Sequence, residues 1–274
     1  MQFGAITNSW RQLLSDRDLL DLVGEAEARG AKHVELRQTC LGSCETGEGE
    51  DWRPVTSNLQ ALVEKYPGLS FNLAMALPCF SQELDPKEER FQAALSAAKL
   101  VNPDNPHLRV VDGDRSSPAW ESAGDVAVAS ARVANLALEA ARQGVVFSME
   151  NSGQTIKSMA LLISEARALL TASEGANLGL CPDPTNQLRG YPDSDPVGEL
   201  DALPDDMIKI VHFKQARKGE AIPTVDDGDI DCVRMMKVLL AKGYDGAAIM
   251  EIPPHENVFD NLSSSFDYLN ALRA

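Results

Sequence analysis

Short apolar runs alternate with helical stripes eight times along the 274 residues, and this alternation limits the fold more than any other feature. The expected strands cover residues 3–6, 33–36, 69–74, 108–111, 145–149, 177–181, 207–211 and 247–250. Each is followed by apolar residues at helical spacing, such as Leu19, Leu22, Val23 and Ala26, or Met159, Leu162, Ile163 and Ala166. The first helix is capped within Ser15-Asp16-Arg17-Asp18 and stopped by Gly30. The others are expected over residues 52–66, 85–100, 118–142, 155–171, 195–203, 229–241 and 257–272. Residues 39–51 have no period and read as a loop. Eight strand–helix pairs in a chain of this length predict a (β/α)8 TIM barrel. A doubly wound open sheet is the rival, and it would often carry a glycine-rich fingerprint after its first strand; none is present. With no linker or shift in composition, residues 1–274 are expected to form one domain.

A buried strand cannot carry an unpaired charge, because desolvating one costs several kcal/mol. The run Val145-Val146-Phe147-Ser148-Met149 nevertheless ends in Glu150-Asn151. Glu150 must therefore sit at the strand end, facing a cation, a proton donor or water. The same plan recurs three times: Asp183 follows the sixth strand, His212 the seventh and Glu251 the eighth. In a barrel these strand ends are neighbours on the face that carries active sites. Three carboxylates and an imidazole are hard ligands that suit Mn²⁺ or Mg²⁺, and Co²⁺ or Zn²⁺ less closely. Without a cation they would repel one another, and one or more would hold a proton. Each alone reads more simply as a solvated loop carboxylate or a satisfied core histidine; four coincidences of position do not.

Further candidates come from placement. Lys214 lies two residues past His212 and shares its side if the strand continues, where it would bind a hydroxyl or carboxylate. Glu35, near the end of the second strand, would line the pocket or form a rim ion pair. Trp10, after the first strand, would wall a sugar face or pack in the core. His107 precedes the fourth strand, at the far end of the barrel, where a structural role is expected; His255 belongs to a rim loop.

The formal charge of -16 and pI near 4.6 argue against a nucleic-acid partner, since phosphate backbones select basic surfaces. Five cysteines are an odd number without framework spacing, and no second Cys or His pair completes a zinc site with Cys40 and Cys44. The first residues lack a basic and apolar leader, and no apolar run approaches a membrane span. A cytoplasmic protein with no membrane partner is the expectation.

The chain resembles the xylose-isomerase-like TIM-barrel superfamily of sugar isomerases and epimerases. The resemblance covers most of the chain and is best from Val145 to Pro254. It is carried by Ser148-Met149-Glu150-Asn151, Cys181-Pro182-Asp183-Pro184-Thr185-Asn186, His212-Phe213-Lys214, Val225-Asp226-Asp227-Gly228-Asp229-Ile230-Asp231 and Ile249-Met250-Glu251. It implies that Glu150, Asp183, His212 and Glu251 bind one divalent metal ion, with Glu150 and Glu251 as an acid/base pair flanking the substrate carbon. It places Arg217 where relatives carry a basic substrate-binding residue, and Asn186 where many carry a substrate-contacting His. The implied function is a metal-dependent isomerase or epimerase acting on a small sugar, keto sugar or hydroxy-keto acid through an enediolate. A lyase on the same scaffold (a keto-inositol dehydratase or a 3-keto C-glycoside deglycosidase) and a non-catalytic sugar-binding barrel are the alternatives. Relatives are often dimers or tetramers, so a homo-oligomer fits, although no interface motif stands out.

Two departures narrow the resemblance. Ketohexose 3-epimerases of this superfamily usually carry a further Glu two turns after the strand-five ligand, where this chain has Ile156-Lys157-Ser158. The apurinic-endonuclease branch uses a His-rich three-metal site, and this chain has four His in all.

Overall fold

The computed structural model describes residues 1–114 and 120–273. Eight parallel strands form the central sheet: β1 (Gln2–Ile6), β2 (His33–Arg37), β3 (Ser70–Ala76), β4 (His107–Val111), β5 (Val146–Glu150), β6 (Leu178–Cys181), β7 (Val211–Phe213) and β8 (Ala247–Met250). Their order is β6-β5-β4-β3-β2-β1-β8-β7. Between β6 and β7 the contact is thin. A single bridge joins Leu180 to Ile208, the Lys209 amide donates to the Leu180 carbonyl at 2.9 Å, and the His212 amide donates to the Pro182 carbonyl at 3.1 Å. The result is a nearly closed (β/α)8 TIM barrel with one weak seam.

The outer helices are α1 (Leu19–Ala28), α2 (Thr56–Lys65), α3 (Glu89–Val101), α4 (Ala123–Arg142), α5 (Ile156–Ala168), α6 (Pro196–Asp201), α7 (Cys232–Ala241) and α8 (Val258–Ala271). Caps fix several starts: the Asp18 carboxylate accepts from the Leu20 amide, Thr155 from Ser158, and Ser122 with Asp125 forms a capping box on α4. The expected start of that helix at Pro118 lies outside the described residues. The apolar stripes of the helices pack on the outward strand faces and form one large core.

Inside the barrel the packing is of two kinds. A small apolar cluster joins Ile6, Cys181, Ile210 and Ile249. The other side is polar and buried: His33, Glu35, Asn72, His107, Arg109, Ser148 and His212. Such an interior is stable only if each group is paired. His107 and Ser148 share a 2.7 Å hydrogen bond, His33 Nε2 meets Asn72 Oδ1 at 2.7 Å, and the Asn72 amide donates to Glu35 at 2.9 Å.

Local departures from the sequence reading have physical causes. The seventh strand was expected over residues 207–211, yet β7 is Val211–Phe213 and contains His212. The residues before it lie along the seam, where their pairing to β6 is sparse. Residues 39–51 contain short turns rather than featureless loop. The Glu45 carboxylate organises them, accepting from the Thr39 and Leu41 amides and from Trp52 Nε1. One side chain does this, so no periodicity announces it. Further elements were not expected, among them a kinked 3-10 segment Thr7–Ser15 and a short helix Pro184–Gly190. All five cysteines are free and buried. Among the described residues, no helix is long and apolar enough to cross a membrane.

Candidate metal centre and active site

Four strand ends deliver four ligand-type side chains to one point. Glu150 closes β5, Asp183 follows β6, His212 lies in β7 and Glu251 follows β8. One donor atom from each lies within 4.8 Å of all the others. His212 Nδ1 faces the group, 3.2 Å from Glu251 Oε2, 3.5 Å from Glu150 Oε1 and 3.9 Å from Asp183 Oδ2.

The backbone around Asp183 explains its aim. Asp183 caps the Pro184–Gly190 helix, its Oδ1 accepting from the Asn186 amide at 2.8 Å. Asn151 holds the same turn from the neighbouring strand end, accepting from the Asp183 amide and donating to its carbonyl. With Oδ1 committed to the cap, Oδ2 is left buried with no hydrogen-bond partner. Lys214 Nζ, 3.6 Å away, is beyond hydrogen-bond reach, and a buried carboxylate oxygen without a donor is costly unless a cation closes on it. That orphan oxygen, the 4.8 Å cluster and the hard donor set fit a divalent ion held by these four residues.

The Glu150 and Glu251 carboxylates are each gripped from behind. Glu150 Oε2 accepts from Arg109 at 2.6 Å, while its Oε1 accepts from Asn186 Nδ2 at 2.9 Å. Glu251 Oε1 accepts from Asn8 at 2.9 Å, and its Oε2 accepts from Lys214 Nζ at 3.1 Å. Below the cluster, Arg109 also donates to Glu35, whose Oε1 lies 3.2 Å from His212 Nε2. Glu35 and Arg109 thus link the imidazole to Glu150 through one buried chain. A carboxylate behind a ligating histidine fixes ring orientation and tautomer.

The electrostatics follow from this geometry. Burial works against charge on Glu35, but Arg109 and His212 hold its carboxyl well below the usual range. Burial likewise opposes charge on Glu251, and Lys214 and His212 overcome it in the same direction. On His212, burial is outweighed by Cys181, Glu150 and Glu35, which hold it well above the usual histidine range. Burial would lower Lys214, yet Glu251, Asp183 and Glu150 raise it. The field inside the mouth therefore favours positive charge.

The remaining candidates divide. Asn186 and Lys214 stand at the cluster, Lys214 Nζ 3.6 Å from Asp183 Oδ2. Glu35 is fully buried within β2, beneath the cluster rather than at a rim. Arg217 is exposed on an antiparallel hairpin, Gln215–Arg217 with Glu220–Ile222, and pairs with Asp227 at 2.8 Å. Trp10 is buried and stacked on Phe259 at 5.3 Å. His255 Nδ1 donates to the Pro253 carbonyl at 2.7 Å, and its Nε2 accepts from Asn261 Nδ2. Sequence reasoning passed over Asn8, Asn151 and Arg109. Arg109 was within reach, because a charge in the middle of an apolar strand is the same signal that singled out Glu150.

A family model described as xylose isomerase-like TIM barrel matches residues 23–272. No curated protein sequence matches the chain. Solved structures resemble it over nearly its full length. A probable 3-DHS dehydratase, AsbF, from Bacillus anthracis is 18% identical, covering 98% of this chain and 99% of its own, with a TM-score of 0.73. A D-psicose 3-epimerase from Clostridium cellulolyticum H10 is 15% identical over 99% of both chains, with a TM-score of 0.64. The IolI protein, solved with a binding zinc atom, is 15% identical over 100% of this chain and 96% of its own, with a TM-score of 0.68. At these identities the likeness carries the fold.

Proposed function

Because the chain belongs to the xylose isomerase-like TIM barrel family, we propose that it is a divalent-metal-dependent isomerase or epimerase acting on a small sugar, keto sugar or hydroxy-keto acid. The observation that carries this reading is the convergence of Glu150, Asp183, His212 and Glu251 within 4.8 Å. When bound, a divalent ion such as Mn²⁺ supplies Lewis-acid polarisation of a carbonyl oxygen and its neighbour, which acidifies the intervening C–H. Mg²⁺, Co²⁺ and Zn²⁺ are the other candidates for this donor set.

The side chains account for the rest. Glu150 and Glu251 stand on different sides of the mouth, each with one oxygen turned to the cluster and the other held by Arg109 or Asn8. One takes the proton from the substrate carbon and the other returns it, the enediolate lying between the two transfers. Lys214 Nζ offers a donor to a substrate oxygen, and Asn186, whose two N–H bonds go to Glu150 Oε1 and the Asn151 carbonyl, holds Glu150 and stands with its Oδ1 3.4 Å from Lys214 Nζ. Their fixed placement orients the carbon between the carboxylates.

Solvent exchange tests the reading. Mn²⁺-loaded protein in deuterium oxide should introduce deuterium beside the carbonyl of a substrate, and Glu150→Gln should abolish it while the fold persists. Absence of exchange with every carbohydrate or keto acid tried would sink the proposal. One observation favours a second reading: the Lys214 ammonium lies 3.1 Å from Glu251. An acid beside a base would protonate a departing hydroxyl, giving a lyase. Isomer products keep the substrate mass, and lyase products do not.

A further inference from the structure

Most cations near the mouth are already engaged by carboxylates. Arg109 is held by Glu35 and Glu150, and Lys214 by Glu251 and Asp183. Arg37 is not. It ends β2, two residues beyond Glu35, and strand alternation puts both on the inward face. Its register partner is Ala74 on β3, a side chain too small to cover it. Its own amide is fixed by Thr7 Oγ1 at 2.9 Å, so the backbone below it is anchored. Of the five N–H donors on its guanidinium, one is used, by Nη1 on the Gln38 carbonyl at 2.8 Å. No described carboxylate forms an ion pair with it. Burial and then Arg109 lower its pKa, against the opposite pull of Cys40, Glu150 and Glu251, so the guanidinium lies in the field of both Glu150 and Glu251.

None of the Arg37 guanidinium nitrogens is both buried and unpartnered, so the idle donors are open to the mouth, where a ligand can replace water on them. The charges of the site point to the kind of ligand. With His212 neutral, as a metal-ligating imidazole must be, four carboxylates (Glu35, Glu150, Asp183 and Glu251) meet three cations (Arg37, Arg109 and Lys214). A divalent ion would reverse the sign and leave the mouth net positive, which suits an anion better than a neutral polyol. We propose that Arg37 receives an acid group of the substrate, a carboxylate or a phosphate, so that the enzyme acts on an anionic sugar derivative or keto acid. The guanidinium fork suits either group, binding two oxygens at once. This inference rests on the reading that the four-residue cluster is the substrate site.

Calorimetric binding to the Mn²⁺-loaded protein tests it with three probes that share a keto-polyol body: D-fructose, 2-keto-D-gluconate and D-fructose 6-phosphate. At least one acid should bind about 10- to 100-fold more tightly than D-fructose, the scale of a charge-assisted bidentate contact. Whichever acid shows the advantage identifies the group. Arg37→Met should bring the acid-to-neutral ratio to about one, and Arg37→Lys should restore part of it. Mn²⁺ affinity, measured alone on each variant, reports whether the centre is still assembled. A wild-type protein with no preference for either acid, including one that binds no probe, overturns the inference, as does a preference that survives Arg37→Met. The two readings fail separately. An Arg37-dependent acid preference without deuterium exchange removes the isomerase proposal alone, whereas exchange on neutral sugars with no acid preference removes only this one.

Discussion

The Glu35–Arg109 pair decides how Glu150 and His212 are held. Both side chains are almost wholly buried, and together they reach His212 on one side and Glu150 on the other. Breaking a buried pair from one side leaves an uncompensated charge, at a cost of about 3–5 kcal/mol. Arg109→Met should therefore destabilise the fold on that scale, because it strands Glu35 and releases Glu150 Oε2. Glu35→Gln keeps the volume but removes the acceptor charge behind His212 Nε2, and Mn²⁺ affinity should fall about 10- to 100-fold. The double variant should recover part of the stability lost in Arg109→Met, since the Glu35 charge is no longer stranded and only Glu150 Oε2 still lacks its donor. Denaturant unfolding and Mn²⁺ titration measure both effects; additive losses in the double variant would contradict the coupling. At this scale the four presumed ligands were legible in sequence, because a polar residue after an apolar run is visible without a structure. Their supports were not. Asn8 and Asn151 belong to loops, and nothing local says that they reach Glu251 and Asp183. The Asp183-Pro184 start of a short helix, a capping aspartate before a proline at the first helical position, is visible in the sequence, although the metal-ligand reading of Asp183 says nothing of that capping role.

Strands with period or length were read well, and the seam was not. β1 to β6 and β8 lie within one or two residues of the apolar runs, because their burial on both faces makes them continuous. β7 is displaced toward its C-terminus, and the cause is pairing rather than propensity. Residues before it approach β6 so closely that a Cβ on Gly179 would stand 2.4 Å from the Met207 carbonyl and 2.6 Å from Lys209 Cγ. Glycine there is required by the approach of a second backbone, not by a turn. Gly179→Ala should cost about 1–3 kcal/mol through overpacking against a carbonyl that cannot rotate away. Because Ser148 is the register partner of Gly179 on β5 and the seam carries His212, the same change should also weaken Mn²⁺ binding. Thermal unfolding with and without Mn²⁺ separates the two effects. A variant as stable as the parent would show that the seam yields easily.

For the whole molecule, the barrel followed from counting strand–helix units, whereas its half-polar interior followed from nothing local. His33 and His107 illustrate the difference: each sits at the start of a strand and is buried, and although a structural role was expected for His107, nothing local named its partner. This interior sets how the fold responds to acid. Burial is the main reason that the His107 pKa falls from 6.5 to about 3, and His33 is lowered for the same reason. The unfolded chain takes up a proton at His107 as the pH drops below 6.5, while the folded barrel refuses it until about pH 3. Between those values the unfolded state binds more protons, so stability rises with pH and is lost on acidification. From neutrality to about pH 4 this residue alone should remove about 3 kcal/mol. Carboxylates titrating in the same range add to the total, so the slope of the wild type does not isolate the histidine. His107→Gln does, since an amide can keep a hydrogen bond to Ser148 Oγ and cannot titrate. Urea unfolding at pH 7 and pH 4 should show a variant that is less stable than the parent near neutrality but closer to it in acid, with a flatter dependence between. Equal slopes in the two proteins would mean that His107 takes its proton inside the folded barrel, and that its pairing with Ser148 is looser than the burial implies.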